Sequence, residues 1–471
     1  MLFCETSFII FFSLCFLANI IIVKVMKRSN VLLLSLVSLF FLAVWGIRDL
    51  CIFLIVLIFN YAMASTVNLS HVHRTRRLFF TIAVVVDVLV LVTYKYLFFF
   101  CQIADRFASL FNFDSIFTIK QPLLAPLAIS FYIFHCISYL YDIYTKKYSH
   151  TTFLRYTFYL SFFPHLIAGP IVRGNQLLPQ LDDIVKNFRL DIPKGLFLFI
   201  AGYFLKVAVA DQIGENINQC WDIGDIAGLS FYDAWAVAFL YSCQIFGDFY
   251  GYTLMALGLA KLLGYELPDN FKAPYIAWSF QGFWNRWHIT LSRFIRDYVY
   301  IVFLGGNRNS TARTQVNLLV AMLICGLWHG AQWTFVLWGG LHGLALVIER
   351  LFGFTDGDKK PPWLRLPWYV FVQITVVLAW VVFRAQSFPV AGAFLAKMLD
   401  LTQAGTFSMN SRILTSLIFV VPVVLHHIYE AVPWFRYLGQ HHVFRGIVCG
   451  IMLYFATIFS HRAMEFIYFD F

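Results

Sequence analysis

The chain has 471 residues, a formal net charge of +10, 60% hydrophobic residues and only 13% charged ones, where an average soluble domain carries about 25% charge. Its length would allow about three soluble domains, but so apolar a chain has too little polar surface to cover soluble cores. Soluble globular, disordered and collagen-like classes are excluded, and an all-α polytopic membrane protein remains.

Apolar runs near 7–23, 31–47, 50–68, 78–101, 122–141 and 152–172 read as the first spans, each close to the ~20 residues that a bilayer crossing needs. Glu5 stands where a signal peptide would be basic, and Lys24, Lys27 and Arg28 follow the first run, so that run reads as a retained span. The connections alternate. Lys24–Arg28, His73–Arg77 and Lys146–Lys147 are basic; Arg48–Asp49 and the stretch with Asp105, Arg106, Asp114 and Lys120 are balanced. The positive-inside bias then puts the N-terminus outside and accounts for the net charge without nucleic acid. Asp87 and Lys95 share one apolar run and pair with other segments in this reading. Phe163–Pro164–His165 and Gly169–Pro170 cannot be regular helix, and irregular backbone at this depth calls for surrounding protein or a water-filled vestibule.

Further segments are predicted near 195–210, 231–247, 249–264, 314–328, 332–348, 366–383, 413–429 and 444–463, with a polar loop at Thr355–Lys360. Several are short enough to be re-entrant or interfacial, giving 11 to 14 membrane segments. The nine Cys form no CxxC pair, so neither a disulfide framework nor a metal site is expected. The chain reads as one integral membrane domain, 1–471, with N-terminal spans at 1–120, a motif-rich core at 121–350 and C-terminal spans at 351–471.

Residues 265–312 are too polar to cross lipid and too aromatic for a plain loop. Taken as a helix, Phe283–Tyr298 carries Arg286, Arg293 and Asp297 on one stripe, and Trp284, His288, Leu291 and Ile295 opposite. His288 is then either an interfacial, backbone-satisfied histidine or one aimed into a buried site. Gly326–Leu327–Trp328–His329–Gly330 lies between two apolar segments, and its small-xxx-small spacing permits close helix approach. His329 is either a packing histidine or a neutral imidazole kept basic by desolvation. Its pattern alone leaves both open. His342 lies about 140° around a continuous helix from His329, which predicts that the two do not share a site. The pairs His426–His427 and His441–His442 sit near segment ends and read as interfacial. Asp248 borders Phe249–Tyr250–Gly251–Tyr252.

DFYGYTLMALGLAKLLGYELPDNFKAPY from 248, then FWNRWHITLSRFIRDYVY, GGNR and GLWHGAQWTFVLWGGLHG, resemble the membrane-bound O-acyltransferases, and within them the bacterial alginate O-acetylation branch. GPIVRGNQLLPQL at 169–181 and the C-terminal FIYFDF fit the same branch. The resemblance covers about residue 120 to the end. It implies a multi-helix bundle around a transmembrane tunnel and acyl transfer from a thioester to a hydroxyl. His329 matches the family's essential histidine and His288 its second conserved polar position. The usual FSGYSDMAIGL departs here at Tyr250 (for Ser) and Leu254 (for Asp), and the usual YIPLGG is replaced by Ile301–Gly306 without Pro.

The reading is a bacterial inner-membrane O-acetyltransferase of an alginate-like envelope polysaccharide, with cytoplasmic acetyl-CoA as co-substrate, no bound cofactor and a periplasmic acetyltransferase partner. His329 is the expected general base and His288 orients the thioester or stabilises the oxyanion. Arg286, Arg293 and Arg296 are expected phosphate contacts, with Asn285 and Trp328 beside the substrate; a basic face held against anionic lipid is the competing reading of those arginines. D-Alanyl transfer from a carrier to a cell-wall polymer, and a transporter using His329 and Asp87, are the alternatives.

Overall fold

The structure, a computed structural model, describes residues 3–111, 121–167, 169–185, 188, 190–308, 310–355, 360–403, 409–439, 441–460, 464, 466 and 467. Asp114 and Lys120, residues 356–359 of the polar loop and the last four residues of FIYFDF lie outside them. Among the described residues there is helix and no strand. Nine helices among the described residues are long and apolar enough to cross a membrane: Thr6–Val25, Ile47–Leu69, His73–Leu110, Ile192–Trp221, Thr311–His329, Trp333–Leu351, Pro362–Arg384, Ser411–Ala431 and His442–Phe459. Val31–Trp45 and Phe388–Met398 are shorter apolar helices.

Two expectations are corrected, and one open alternative is decided. The runs at 231–247 and 249–264 form one helix, Phe231–Leu262; Asp248 need not mark a boundary, because it pairs with Lys206 inside the protein. Phe283–Tyr298 is not one helix. Phe280–Trp284 and Ile289–Phe294 are separate, Ile295–Phe303 is π-helical, and His288 at the junction has φ +40°, a left-handed conformation that no helix interior accepts. The charged stripe therefore dissolves, and Asp297 pairs with Arg296 at 2.7 Å. The break at 162–172 is satisfied by protein: Phe163 N–H donates to Ser38 Oγ (3.1 Å) and Val172 N–H to His135 Nε2 (3.0 Å).

The chain forms two compact units, one of residues 1–196 with 256–268 and one of 197–255 with 269–471. In the first, Phe8, Phe41 and Phe163 pack ring to ring at 5.7–6.2 Å. Asp87 is buried and accepts from Asn60 Nδ2 at 2.8 Å, so the acidic side chain in that apolar run is hydrogen-bonded from a neighbouring helix.

In the second unit the helices Thr311–His329 and Trp333–Leu351 form a tight hairpin. A Cβ at Gly326 would lie 2.2 Å from the Phe335 carbonyl oxygen, and one at Gly339 2.3 Å from that of Met322, so only glycine permits this crossing. A Cβ at Gly202 would likewise meet the Gly251 carbonyl oxygen at 2.4 Å. Beside that contact Lys206 is buried between Asp211 (2.6 Å) and Asp248 (2.7 Å). The same carboxylates accept the backbone N–H groups of Met464 (3.2 Å) and Ile467 (2.8 Å).

Candidate active site

The site lies in the second unit and begins with two pieces of irregular backbone. Lys272 N–H donates to the Arg286 carbonyl (2.9 Å) and Ile289 N–H to that of Asn270 (2.8 Å). These bonds clamp Asn270–Lys272 along Arg286–Ile289. The short helix between them, Phe280–Trp284, is capped by Ser279 Oγ, which accepts from Gly282 N–H at 2.9 Å. Its other free donors, Phe280 N–H and Gln281 N–H, go to the buried carboxylate of Glu349, the latter at 2.9 Å. A negative charge at a helix N-terminus is favourably placed, and it ties this segment to Trp333–Leu351.

The clamp and the left-handed backbone turn the His288 imidazole inward, fully buried. Phe249 meets it edge-on at 4.7 Å, Phe271 stacks at 6.4 Å and Trp328 lies at 6.1 Å. Burial without a compensating charge pushes its pKa down to about 3, so the ring is neutral at physiological pH. Asn270 Oδ1 lies 3.0 Å from His288 Nδ1.

His329 is the last residue of Thr311–His329 and is also buried. Trp328 (4.9 Å), Trp338 (5.0 Å) and Phe383 (5.3 Å) surround it, the last two nearly perpendicular. Trp328 thus has His288 and His329 as ring neighbours. His342 was expected apart from His329, but the helix breaks after His329 and restarts at Trp333. Both histidines now flank Trp338, His342 at 4.9 Å. His342 also meets Trp284 at 5.1 Å. Two buried imidazoles, those of His288 and His329, inside one aromatic cluster suit proton transfer in acyl chemistry.

The other predicted residues divide. Trp328 is buried between the two imidazoles. Asn285, Arg293 and Arg296 are exposed. Arg286 is half-buried, and its Nη1 donates to the Lys272 carbonyl at 3.1 Å. His427, expected at an interface, is buried: its Nδ1 bonds the Val423 carbonyl (2.8 Å) and its Nε2 accepts Tyr275 N–H (3.3 Å). His441 and His442 are exposed. At the departures from the family pattern, Tyr250 packs at a tilt against Phe271 and His426 at 5.6 and 5.0 Å, Leu254 is buried, and Asn317 Nδ2 secures the altered turn by donating to the Leu304 and Gly306 carbonyls. Sequence reasoning missed Asn270, Thr290, Glu349 and Lys206 as site or core anchors. The signal for Asn270 was a polar residue fixed between Pro268 and Pro274.

A multi-pass helical protein with two buried imidazoles in one aromatic cluster is the class that fold and site define. Residues 142–388 match the family described as MBOAT, membrane-bound O-acyltransferase, and the chain belongs to that family; it is an acyltransferase. It is similar to the probable alginate O-acetylase of Azotobacter vinelandii, 37% identical over 395 residues covering 83% of this chain and 77% of the relative. The peptidoglycan O-acetyltransferase of Helicobacter pylori is 35% identical over 86% of this chain and 80% of its own length. The teichoic acid D-alanyltransferase of Streptococcus thermophilus is 30% identical over 49% of this chain and 58% of its own.

Proposed function

We propose that the protein transfers an acetyl group from cytoplasmic acetyl-CoA to a hydroxyl on the way to an envelope polysaccharide, in a bacterial inner membrane and with a periplasmic acetyltransferase as partner. The similarity to O-acetylases over 83% and 86% of the chain supports acetyl transfer. Alginate and peptidoglycan are the polymers these relatives' names give. The similarity to D-alanyltransferases supports a second reading, acyl delivery from a carrier, but it spans only 49% of the chain.

The observation that carries the chemistry is the placement of His288 and His329 as ring neighbours of the same indole, both buried. Between them they supply what attack of a hydroxyl on a thioester needs: an acceptor for the hydroxyl proton and a group attending the thioester carbonyl. The resemblance gives the proton to His329 and the carbonyl to His288. Arg286, Arg293 and Arg296 suit the phosphates of CoA, since guanidinium binds phosphate bidentately, and in this reading Asn285 and Trp328 stand beside the substrate. The test is thiol release from acetyl-CoA by the purified, reconstituted protein supplied with a polysaccharide hydroxyl. Release matched by ester formation is expected. No release from acetyl-CoA, with release from an acyl carrier instead, would favour the second reading.

A further inference from the structure

The connection between the helices Ile129–Tyr144 and Phe153–Ser161 holds a basic cavity that the chemistry described above does not use. Lys146, Lys147 and Arg155 line it together with Ser149, His150 and Thr151, around a volume of about 360 Å³. Its frame is fixed at both ends. Lys146 N–H donates to the Ile143 carbonyl (3.1 Å), and the N–H groups of Lys147 and Tyr148 to that of Asp142 (2.9 and 3.3 Å). Thr151 N–H donates to Tyr139 Oη (3.0 Å), which also lies 3.1 Å from His150 Nδ1. Lys146 has φ +59°, a left-handed conformation that helix ends usually give to glycine, so a lysine is held there against its backbone preference. Two carboxylates are near, and neither lines the cavity. Asp182, mostly exposed, pairs with Arg155 at 2.6 Å. Asp142 is buried in the last turn of Ile129–Tyr144, where Lys147 and Arg173 attract it. Lys146 joins no ion pair among the described residues. The hydroxyls of Ser149 and Thr151 and the N–H groups of Ser149 and His150 donate to nothing among them.

We propose that this cavity binds the phosphate of an anionic phospholipid headgroup. Three cations converge on a space that no carboxylate enters, and hydroxyl and backbone donors stand among them. A phosphate ester supplies both the negative charge and the acceptor oxygens that such a set lacks; guanidinium takes it bidentately and ammonium as a point charge. The same chemistry is carried by lipids and by soluble phosphate esters. The neighbouring residues favour the lipid. Phe153 and Leu154, next to Arg155 in the chain, are exposed large apolar side chains. Apolar surface directly beside a basic cavity gives acyl chains and headgroup each a matching neighbour. A soluble phosphate ester has no use for those two side chains.

The full chain in nanodiscs of phosphatidylcholine mixed with phosphatidic acid tests this, by native mass spectrometry of the lipids that stay bound. The wild type should retain phosphatidic acid over phosphatidylcholine by at least about tenfold, and Lys146→Gln/Lys147→Gln/Arg155→Gln should lose that preference, since each cation near the surface is worth about fivefold. Lys24→Gln/Lys27→Gln/Arg28→Gln removes as much charge from another connection and should keep the preference. Equal retention of the two lipids by the wild type, or an equal loss in this control, overturns the site. Inorganic phosphate, titrated against the wild type in pure phosphatidylcholine, separates the sources. Weak or absent binding is expected. A dissociation constant below about 1 mM that is lost in the first triple variant would overturn the lipid and make the ligand a soluble phosphate ester. If that triple variant does not fold, Lys146→Gln decides: its side chain is exposed and unpaired, and its loss should lower the preference by about fivefold. An unchanged preference there overturns the proposal.

Discussion

Lys206 is a single cation buried between two carboxylates, at 2.6 and 2.7 Å. One charge cannot cancel two, and the backbone N–H groups of Met464 and Ile467 supply the rest of the stabilisation. Lys206→Met keeps the length of the stem but leaves Asp211 and Asp248 facing each other. It should destabilise the protein by about 3–5 kcal/mol, the cost of breaking a buried pair on one side. Thermal unfolding in detergent measures this. Adding Asp211→Asn and Asp248→Asn should recover part of the loss, and a single variant melting with the wild type would contradict it. Little of this was legible in the sequence. Asp248 stood out as a polar residue in an apolar run, but Lys206 had no local feature, because its partners are chosen by helix packing and not by spacing. Asn270 was hidden for the same reason: its place is set by backbone bonds between distant segments, its own carbonyl to Ile289 N–H and Lys272 N–H to the Arg286 carbonyl.

Between elements, the hairpin that delivers His329 depends on missing side chains. The Cβ of Gly326→Ala would stand 2.2 Å from the Phe335 carbonyl oxygen, and backbone cannot yield as a side chain can. The two helices must separate, so the variant should melt several degrees lower and lose transfer activity through displacement of His329. Gly340→Ala is the control, since nothing lies nearer its Cβ than Leu323 Cδ1's partner methyl, Cδ2, at 3.5 Å. Paired melting curves check both, and equal curves would show that the crossing is not set by Gly326. At this scale the sequence was informative. Apolar runs gave most long helices, and the Gly326–Gly330 spacing announced a close approach. Periodicity failed where it assumed continuity. It could not foresee the left-handed residue at His288 that divides 283–298, and the angle that set His342 apart from His329 ran one continuous helix through the break between the two segments predicted there, where His342 in fact meets Trp338.

Across the whole molecule, the alternation of basic and balanced connections predicts a periplasmic N-terminus, with Arg74–Arg77 and Lys146–Lys147 on the cytoplasmic side. Cysteines introduced by Ser70→Cys and Ser149→Cys should react only with a membrane-permeant maleimide in intact cells. Labelling of both by an impermeant reagent would invert the topology. The class of the molecule was legible from composition and its chemistry from ordered motifs, because a family's site residues recur in sequence order. The roles within the site were not, since they are fixed by contacts between distant segments. The most direct measurement of the central claim is therefore the rate of thiol release from acetyl-CoA by wild type and His329→Ala, both purified and shown folded by their melting curves. The account predicts release by the wild type with matching ester formation, and a rate at least about 10²-fold lower in the variant, roughly 3 kcal/mol of barrier. Near-wild-type release by His329→Ala would contradict it.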